Sequence, residues 1–306
     1  MKTMDIQRLI LFFVFSFSLL LLWTEWEKTQ RPKPVPVAAV AQRSADAKMV
    51  PADVVPSPST TAPAAAPAKQ VAAAVAASAV KGETIQVRTD LLIADIDTLG
   101  GGLTRLELTK HKETNDQTKN LVLLGADHQY FAQSGLTGEN GPNHRSLWHA
   151  QAGERTLADG KNSLEVRLTA TGKDGLSVEK VYTFKRDSYV IDVALEVRNT
   201  GTAPNAPHAY FQLTHDGKHA GGGSSIAQSF GAQSYSGFAE YTEEQKFQKV
   251  HYSDLDKGKA DYVKQAGDGW LSFIEHYFVS AWLPKGTAQR DYVIEKRADG
   301  VYTGRV

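Results

Sequence analysis

Residues 176–201 read LSVEKVYTFKRDSYVIDVALEVRNTG, and this stretch decides the class of fold. In its second half an apolar residue occupies every second position from Tyr189 to Val197, and the intervening positions are mostly polar or small. A period of two predicts a β-strand that buries one face. The sequence Asn-Thr-Gly at 199–201 then ends the strand with a turn signal.

A second strand precedes this one, with apolar runs at 176–178 and 181–184 ahead of the polar turn Lys-Arg-Asp-Ser at 185–188. Two strands joined by a short polar turn predict a β-hairpin. Leu164, Val166 and Leu168 show the same alternation one segment earlier. Further strand candidates are 85–87, 91–97, 103–108, 210–213, 270–283 and 291–296, with 301–306 as the return strand of the last one.

Helical periodicity of useful length is absent after residue 83, where short strands with turns about every ten residues follow one another. This pattern is typical of a large antiparallel sandwich or barrel. Alternation of apolar and polar residues predicts sheets with one face in the core and the other in water. The sequence therefore predicts a mainly β domain over residues 83–306.

The N-terminal residues 1–30 have a different character, because Leu9 to Trp23 form fifteen uncharged residues, LILFFVFSFSLLLLW. With its flanks the stretch reaches roughly 20 residues, which is enough for one bilayer crossing. A cleaved signal peptide is the alternative, but Thr-Glu-Trp-Glu-Lys at 24–28 contains no small-residue cleavage site. We predict an uncleaved signal anchor. Flanking charge discriminates little, and the short tail before a long polar domain favours a cytoplasmic N-terminus.

Residues 31–82 form a third region, which holds eight of the twelve prolines and many alanines. No aromatic residue lies between Trp26 and Tyr130. Such a composition buries too little apolar surface to offset the entropy of ordering, so it predicts a disordered tether. A proline-rich ligand for a partner is the alternative. The tether carries six basic and two acidic side chains, whereas residues 83–306 carry 25 basic and 29 acidic ones.

Whole-chain composition excludes several classes of function. The chain has no cysteine, which excludes disulfides, cysteine-ligated metal sites and a cysteine nucleophile. Lys and Arg number 34 and Asp and Glu also number 34, so the formal net charge is zero. A protein whose main partner is nucleic acid usually shows a basic excess. We therefore expect no nucleic-acid partner.

The strongest metal-site candidate among the nine histidines is a cluster near residue 215. It lacks the HExxH spacing of a helical zinc site, and Gly217 lies within it, so a structural or solvated loop is favoured. The glycine-rich segment that follows lacks the lysine of a phosphate loop and is interpreted as a mobile surface loop. The cluster comprises His208, His215, Asp216 and His219, and the glycine-rich segment comprises Gly221, Gly222, Gly223, Ser224 and Ser225.

Glu275 and His276 form the other candidate pair, within the aromatic stretch GWLSFIEHYFVSAWLP. A Glu/His pair is suited to acid–base catalysis in a sugar-processing sandwich. Neighbouring residues of a strand point to opposite faces, however, so these two side chains would not share a site. A packed aromatic strand is favoured. We predict no catalytic residue, no cofactor and no metal, and a protein that is not an enzyme.

Four segments resemble the YidC family of bacterial inner-membrane protein insertases. Met4–Glu27 resembles its first transmembrane segment, and Ile96–Gly101 resembles the start of its periplasmic domain. Phe131–Asn143 resembles a Gln-Ser-Gly-Leu-x-Gly loop of that domain. Gly269–Pro284 resembles a Gly-Trp…Gln-His-Tyr-Phe…Ala-Trp-x-Pro segment, with Glu275 where glutamine is common. Order and spacing agree over essentially the whole chain.

The resemblance implies a periplasmic β-supersandwich similar to galactose mutarotases, in a protein that inserts and folds inner-membrane proteins alone or with the Sec translocon. It implies nascent membrane proteins, SecD/SecF-like components and the lipid bilayer as partners. It also implies six transmembrane helices, a cytoplasmic N-terminus and a periplasmic location after about Trp26. Insertion is assigned to a groove in the five C-terminal helices.

We expect this chain to be a fragment that supplies the anchor and the partner-contacting domain. It is expected to lack the insertion groove and the C-terminal end of the sandwich. The alternative is a membrane-tethered sugar-binding or aldose-epimerase-like sandwich. That function requires a histidine and a carboxylate converging in an open cleft.

Overall fold

The computed structural model describes residues 81–138, 140–218, 235–275 and 277–306. Within these ranges there are eighteen strands, a 3₁₀ helix at Ala126–His128 and one α-helix, α1, at Tyr252–Asp256. The strands are β1 (Thr84–Arg88), β2 (Leu92–Asp97), β3 (Gly102–Lys112), β4 (Asn120–Leu124), β5 (Phe131–Leu136), β6 (His149–Ala150), β7 (Ser163–Thr171), β8 (Leu176–Lys185), β9 (Ile191–Asn199), β10 (Ala209–His215), β11 (Ser236–Thr242), β12 (Lys246–Val250), β13 (Gln265–Ala266), β14 (Trp270–Glu275), β15 (Phe278–Trp282), β16 (Arg290–Asp291), β17 (Val293–Lys296) and β18 (Tyr302–Arg305).

The strands form three main antiparallel sheets. The large sheet has the order β1-β2-β3-β5-β10-β18-β17, and β4 also pairs with β3. Two four-stranded sheets have the orders β6-β7-β8-β9 and β12-β11-β14-β15, and β13 pairs with β16 in a small ribbon. The prediction of a mainly β, antiparallel sandwich is confirmed.

Both four-stranded sheets pack on the same face of the large sheet. Ser134 in β5 and Phe211 in β10 are cross-strand partners, so their side chains point to one side. On that side the Tyr182 hydroxyl of β8 donates to the carbonyl oxygen of Gly101, next to β3. The Trp282 ring of β15 lies 5.1 Å from the Phe211 ring, measured between centroids. The two smaller sheets therefore form the second layer of the sandwich.

The hairpin predicted from residues 176–201 is present as β8 and β9, paired from Leu176–Asn199 to Phe184–Ile191. Alternate β8 side chains, including Val178, Tyr182 and Phe184, are at most 2% exposed. Burying such a side chain contributes about 1.5–3 kcal/mol of transfer free energy, so the period-two pattern is the main local determinant of this sheet.

The two layers approach most closely at Gly304 in β18. A Cβ atom at this position would lie 2.5 Å from a ring carbon of Phe238 in β11, which is closer than van der Waals contact allows. Glycine is therefore required where the β11 ring packs directly on the backbone of the large sheet.

Three strand predictions need correction. The run 270–283 was interpreted as one strand, but it forms two strands, β14 and β15, with the turn after Glu275. Phe131–Leu136 was compared with a loop and is instead β5, in the middle of the large sheet. Strand β9 begins at Ile191 rather than at Tyr189, because 186–190 form the turn.

The predicted anchor (1–30) and nearly all of the predicted tether (31–82) lie outside the described residues, so both stay predictions. Within the ranges given above, no helix combines the length and the apolar character needed to cross a bilayer.

Candidate functional site

The histidine cluster predicted near residue 215 lies at the end of β10, between the large sheet and β14. His215 is the last residue of β10 and is completely buried. Its ring stacks on Phe273 of β14 at 4.3 Å between centroids and meets the edge of Tyr130 at 5.2 Å. The imidazole is therefore part of an aromatic contact between the two layers.

Polar contacts fix the orientation of the His215 ring. The Gly217 N–H donates to His215 Nδ1 at 2.9 Å, and the Tyr252 hydroxyl of α1 lies 3.2 Å from the same nitrogen. One Asp216 carboxylate oxygen lies 3.7 Å from His215 Nδ1 and also 3.7 Å from His128 Nδ1. Two histidines and one carboxylate thus meet here.

Asp216 is held in its ionised form. Burial opposes ionisation, but hydrogen bonds from Lys218 and the nearby histidines outweigh it and lower the pKa of Asp216. The Lys218 ammonium lies 3.4 Å from Asp216 Oδ2, and the Lys218 N–H donates to Oδ1 at 2.9 Å. The carboxylate is therefore neutralised by the protein's own cation.

The cluster differs in membership from the one that the sequence predicted. His128 belongs to it, although it lies in the 3₁₀ helix far away in the chain and no local motif marks it. His208 does not belong to it, because it precedes β10, where its backbone bonds to Thr137. His219 and the glycine-rich segment 221–225 lie outside the described residues.

The geometry favours a structural cluster over a metal site. The three potential ligand atoms lie within 4.8 Å of one another, which is close enough for them to be tested as a metal site. However, the Nδ1 lone pair of His215 already accepts the Gly217 N–H, and the Asp216 carboxylate is paired with Lys218. A metal ion bound to these two atoms would displace both interactions and leave the half-buried Gly217 N–H without its acceptor.

Glu275, the other candidate, ends β14 with its side chain on the same face as Phe273, two residues earlier. Burial raises the pKa of Tyr130 and of Tyr252, and the Glu275 charge adds to both effects. His276 lies outside the described residues.

No open cleft accompanies this cluster in the part of the chain that the structure describes. His215 is fully buried, and two surface grooves of about 290 and 170 Å³ have other linings. The larger groove lies between α1 and β17, and the smaller one lies on the outer side of β7, β8 and β9. Histidine and carboxylate thus converge without the access that a sugar substrate requires.

Lys180 in β8 is a further unusual group, which sequence reasoning missed. It is completely buried, with its ammonium 4.3 Å from the centroid of the Trp148 ring. The Nζ atom donates to three backbone carbonyl oxygens, those of Gly100 at 3.2 Å, Gly101 at 3.0 Å and Ser134 at 2.9 Å. Burial lowers the pKa of Lys180 to about 7.

The Lys180 contacts join the two layers of the sandwich. The three carbonyl groups belong to the turn just before β3 and to β5 of the large sheet, whereas Lys180 belongs to the second layer. An ammonium group has three donors, and each finds one acceptor here. A signal for this was present in the sequence, because the period-two pattern of β8 places Lys180 on the buried face between Val178 and Tyr182.

Glu240 in β11 is a second fully buried charged side chain. One carboxylate oxygen accepts the Val263 N–H, and within the described residues the other has no hydrogen-bond partner. Burial raises the pKa of Glu240, against the opposing effects of that N–H and of Lys264.

A raised carboxyl pKa means that the folded state binds the proton more tightly than the unfolded state does. The stabilising contribution is therefore present at low pH and lost as the pH rises through the folded-state pKa. We expect the free energy of unfolding of the wild type to fall, relative to that of Glu240→Gln, as the pH rises from the ordinary range of a glutamate carboxyl to mildly alkaline conditions. Urea unfolding of both proteins across this range measures the difference, and a pH-independent difference would contradict the assignment.

Comparison with known proteins places these features in a family. A family model described as the YidC periplasmic domain matches residues 84–306, which include all eighteen strands that the structure describes. The chain belongs to the YidC family. A protein named membrane protein insertase YidC from Aromatoleum aromaticum is 43% identical over 99% of this chain and 54% of its own length. Another of the same name, from Methylobacillus flagellatus, is 40% identical over 98% of this chain and 52% of its own length.

A third YidC insertase, from Dechloromonas aromatica, is 42% identical over 96% of this chain and 51% of its own length. The chain thus spans about half the length of the curated relatives that it matches. These relatives are named as insertases and not as enzymes.

Two of the segments that carry the YidC resemblance occupy central positions in the fold. Phe131–Leu136 is β5, which supplies the Ser134 carbonyl that Lys180 binds. The segment 269–284 forms the β14–β15 hairpin, including Phe273 beneath His215. Packing between the layers therefore accounts for Phe273 and for the position of β5.

Proposed function

We propose that the chain forms the membrane anchor and periplasmic domain of an insertase that inserts, folds and assembles inner-membrane proteins. The observation that carries this proposal is the match of the YidC periplasmic-domain model to the complete described sandwich. The named insertases support it, since their similarity extends over nearly the whole chain, including the apolar segment 9–23.

The proposed organisation is an anchor at residues 1–30, a tether at 31–82 and the sandwich at 83–306. The N-terminus lies in the cytoplasm, and the chain after about Trp26 lies in the periplasm. The sandwich acts as a contact domain without enzymatic activity, and insertion belongs to the whole protein. The buried position of His215 supports this over an epimerase, because a sugar would have no path to the imidazole.

The proposed partners are nascent membrane proteins and the Sec translocon, including SecD/SecF-like components. Exposed positions between 205 and 265 are suited to contact them, because α1 and the β11–β12 hairpin project polar side chains there. The positions include Glu244, Ser253, Lys257 and Lys259, all exposed.

Site-specific photocrosslinking in intact membranes tests these partners. With a photoreactive residue at Glu244, Ser253 or Lys257, we expect adducts with translocon components in cells that express the whole protein. The control positions are Lys161, in the turn before β7, and Glu165, on the outer side of the β6-β7-β8-β9 sheet; both are exposed and should give few adducts. Equal labelling at both sets of positions, or no adduct at any of them, would contradict the proposal.

A further inference from the structure

The sheet β12-β11-β14-β15 has two apolar faces, and only one of them packs in the core. Leu271 and Phe273 of β14 are fully buried against the large sheet, so the alternate residues Trp270 and Ile274 point away from it. Cross-strand partners share a face, which assigns the rest of this outer face. Its large and apolar members are Tyr241, Phe247, Trp270, Ile274, Val279, Ala281 and, directly after β15, Leu283.

Three aromatic rings form one end of the outer face. Tyr241 and Trp270 are cross-strand partners whose rings stack with centroids 5.8 Å apart and an angle of 10° between their planes. The Phe247 ring lies 6.1 Å from Trp270 and is 44% exposed. Trp and Tyr rings of this kind are enriched where a protein meets the polar boundary of a bilayer.

Aliphatic side chains form the other end, where Val279 is 58% exposed and Leu283 is 56% exposed. The outer side of the sheet β6-β7-β8-β9 is different, because there Arg167 forms ion pairs with Glu165 and Glu179. An apolar outer surface is therefore specific to one half of the second layer. Exposed patches of this composition mark interaction sites.

Charged side chains surround the outer face. Lys246, Lys249 and Lys285 are exposed, and Lys285 pairs with Asp192 at 2.9 Å. The acidic residues at the aromatic end include Glu243, Glu244 and Asp268, and Glu243 is paired with Lys246 at 3.1 Å. The flexible lysine side chains are suited to reach anionic headgroups while the apolar residues contact the acyl boundary.

We propose that this outer face lies on the periplasmic surface of the lipid bilayer, with the Tyr241, Phe247 and Trp270 rings at the depth of the headgroups. The inference rests on the proposed function, which anchors the same chain in that bilayer. If residues 31–82 form the predicted flexible tether, its root-mean-square length of about 40 Å would keep the domain close to the membrane. Weak apolar contacts then suffice for docking, because the tether keeps the local concentration of lipid high.

The absence of cysteine from the chain makes a direct test available. Each test variant replaces one residue, Phe247, Val279 or Leu283, by a cysteine that is labelled with an environment-sensitive fluorophore. The full chain is then reconstituted in vesicles of phosphatidylethanolamine and phosphatidylglycerol. Glu165→Cys and Lys161→Cys are the matched controls on the polar side of the other sheet. Ser16→Cys, within the predicted anchor, reports on the proposed function itself.

We expect labels at 247, 279 and 283 to shift their emission to shorter wavelength and to be quenched by lipid-borne quenchers, unlike labels at 161 and 165. If the label at Ser16→Cys is quenched while the labels at 247, 279 and 283 remain exposed to water, this inference is overturned and the proposed function still stands. An aqueous label at Ser16→Cys would instead contradict the anchor. Short distances between labels on different copies, which disappear when unlabelled chain is added, would identify a second copy of the chain as the occupant of the outer face. This result would also overturn the inference.

Discussion

Replacing Lys180 by methionine is expected to lower the free energy of unfolding by about 3 kcal/mol, because buried carbonyl groups lose their donor. Methionine keeps the length and the apolar stem but has no N–H. The Gly101 carbonyl retains the Tyr182 hydroxyl, whereas the Gly100 and Ser134 carbonyls lose the contact with the Lys180 ammonium. Unsatisfied buried acceptors cost about 1–3 kcal/mol each, which sets the size of the effect.

Chemical denaturation of the wild type and of Lys180→Met measures this difference. Lys161→Met is the matched control, since Lys161 is exposed, and it should change the free energy of unfolding by less than about 0.5 kcal/mol. A loss no larger than that of the control would mean that the ammonium's desolvation cancels its hydrogen bonds.

Nuclear magnetic resonance of the Lys180 side chain gives a second, independent readout. Burial lowers the pKa of Lys180 from 10.5 to about 7, although three carbonyl acceptors favour the charged form. A midpoint near 10.5 would show that the site is open to water in solution.

The β8–β9 hairpin was predictable because its apolar alternation is long, with Lys180 as the exception on the buried face of β8. Its neighbours were not, because their signals are local and weak. The turn between β14 and β15 follows Glu275 without glycine, proline, asparagine or aspartate, so nothing in the sequence marks a reversal. Strand β5 contains Ser134 and Gly135, which lower β propensity, and its place in the middle of the sheet comes from tertiary pairing.

The composition of the His215 cluster was beyond sequence reasoning for a different reason. Asp216 and His215 are neighbours in the chain, and the sequence grouped them correctly. His128 reaches them because β5 and β10 are adjacent in the sheet and the His128 carbonyl accepts the Asp216 N–H at 2.8 Å. Proximity of this kind depends on strand order, which a single sequence does not define.

Packing between the layers depends on Phe273 more than on any polar group of that cluster. Its ring lies 4.3 Å from His215, 4.9 Å from Tyr130 and 5.3 Å from Phe238, measured between centroids. These partners come from the large sheet and from β11, so one ring contacts two sheets. The cluster is therefore best understood as an aromatic core with hydrogen-bonded polar edges, which comprise two histidines and one carboxylate.

Replacing Phe273 by alanine should consequently lower the free energy of unfolding by about 4 kcal/mol, through lost transfer free energy and the remaining cavity. Phe247→Ala is the control on the outer face of the neighbouring strands, where the ring is 44% exposed, and it should cost less than about 1 kcal/mol. Phe273→Leu keeps most of the volume and should cost about 1.5 kcal/mol.

Thermal and urea unfolding of the three variants distinguish an aromatic core from a polar site. If the His215–Asp216–Tyr252 contacts held the layers together, Phe273→Leu and Phe273→Ala would have similar, small effects. If ring packing holds the layers together, Phe273→Ala loses most of its free energy of unfolding. Phe273→Leu then loses only a part of it, because leucine still excludes water from the His215 imidazole. A loss for Phe273→Ala that is no larger than that for Phe247→Ala would show that the two layers separate at this point without cost, and that the sandwich is closed elsewhere.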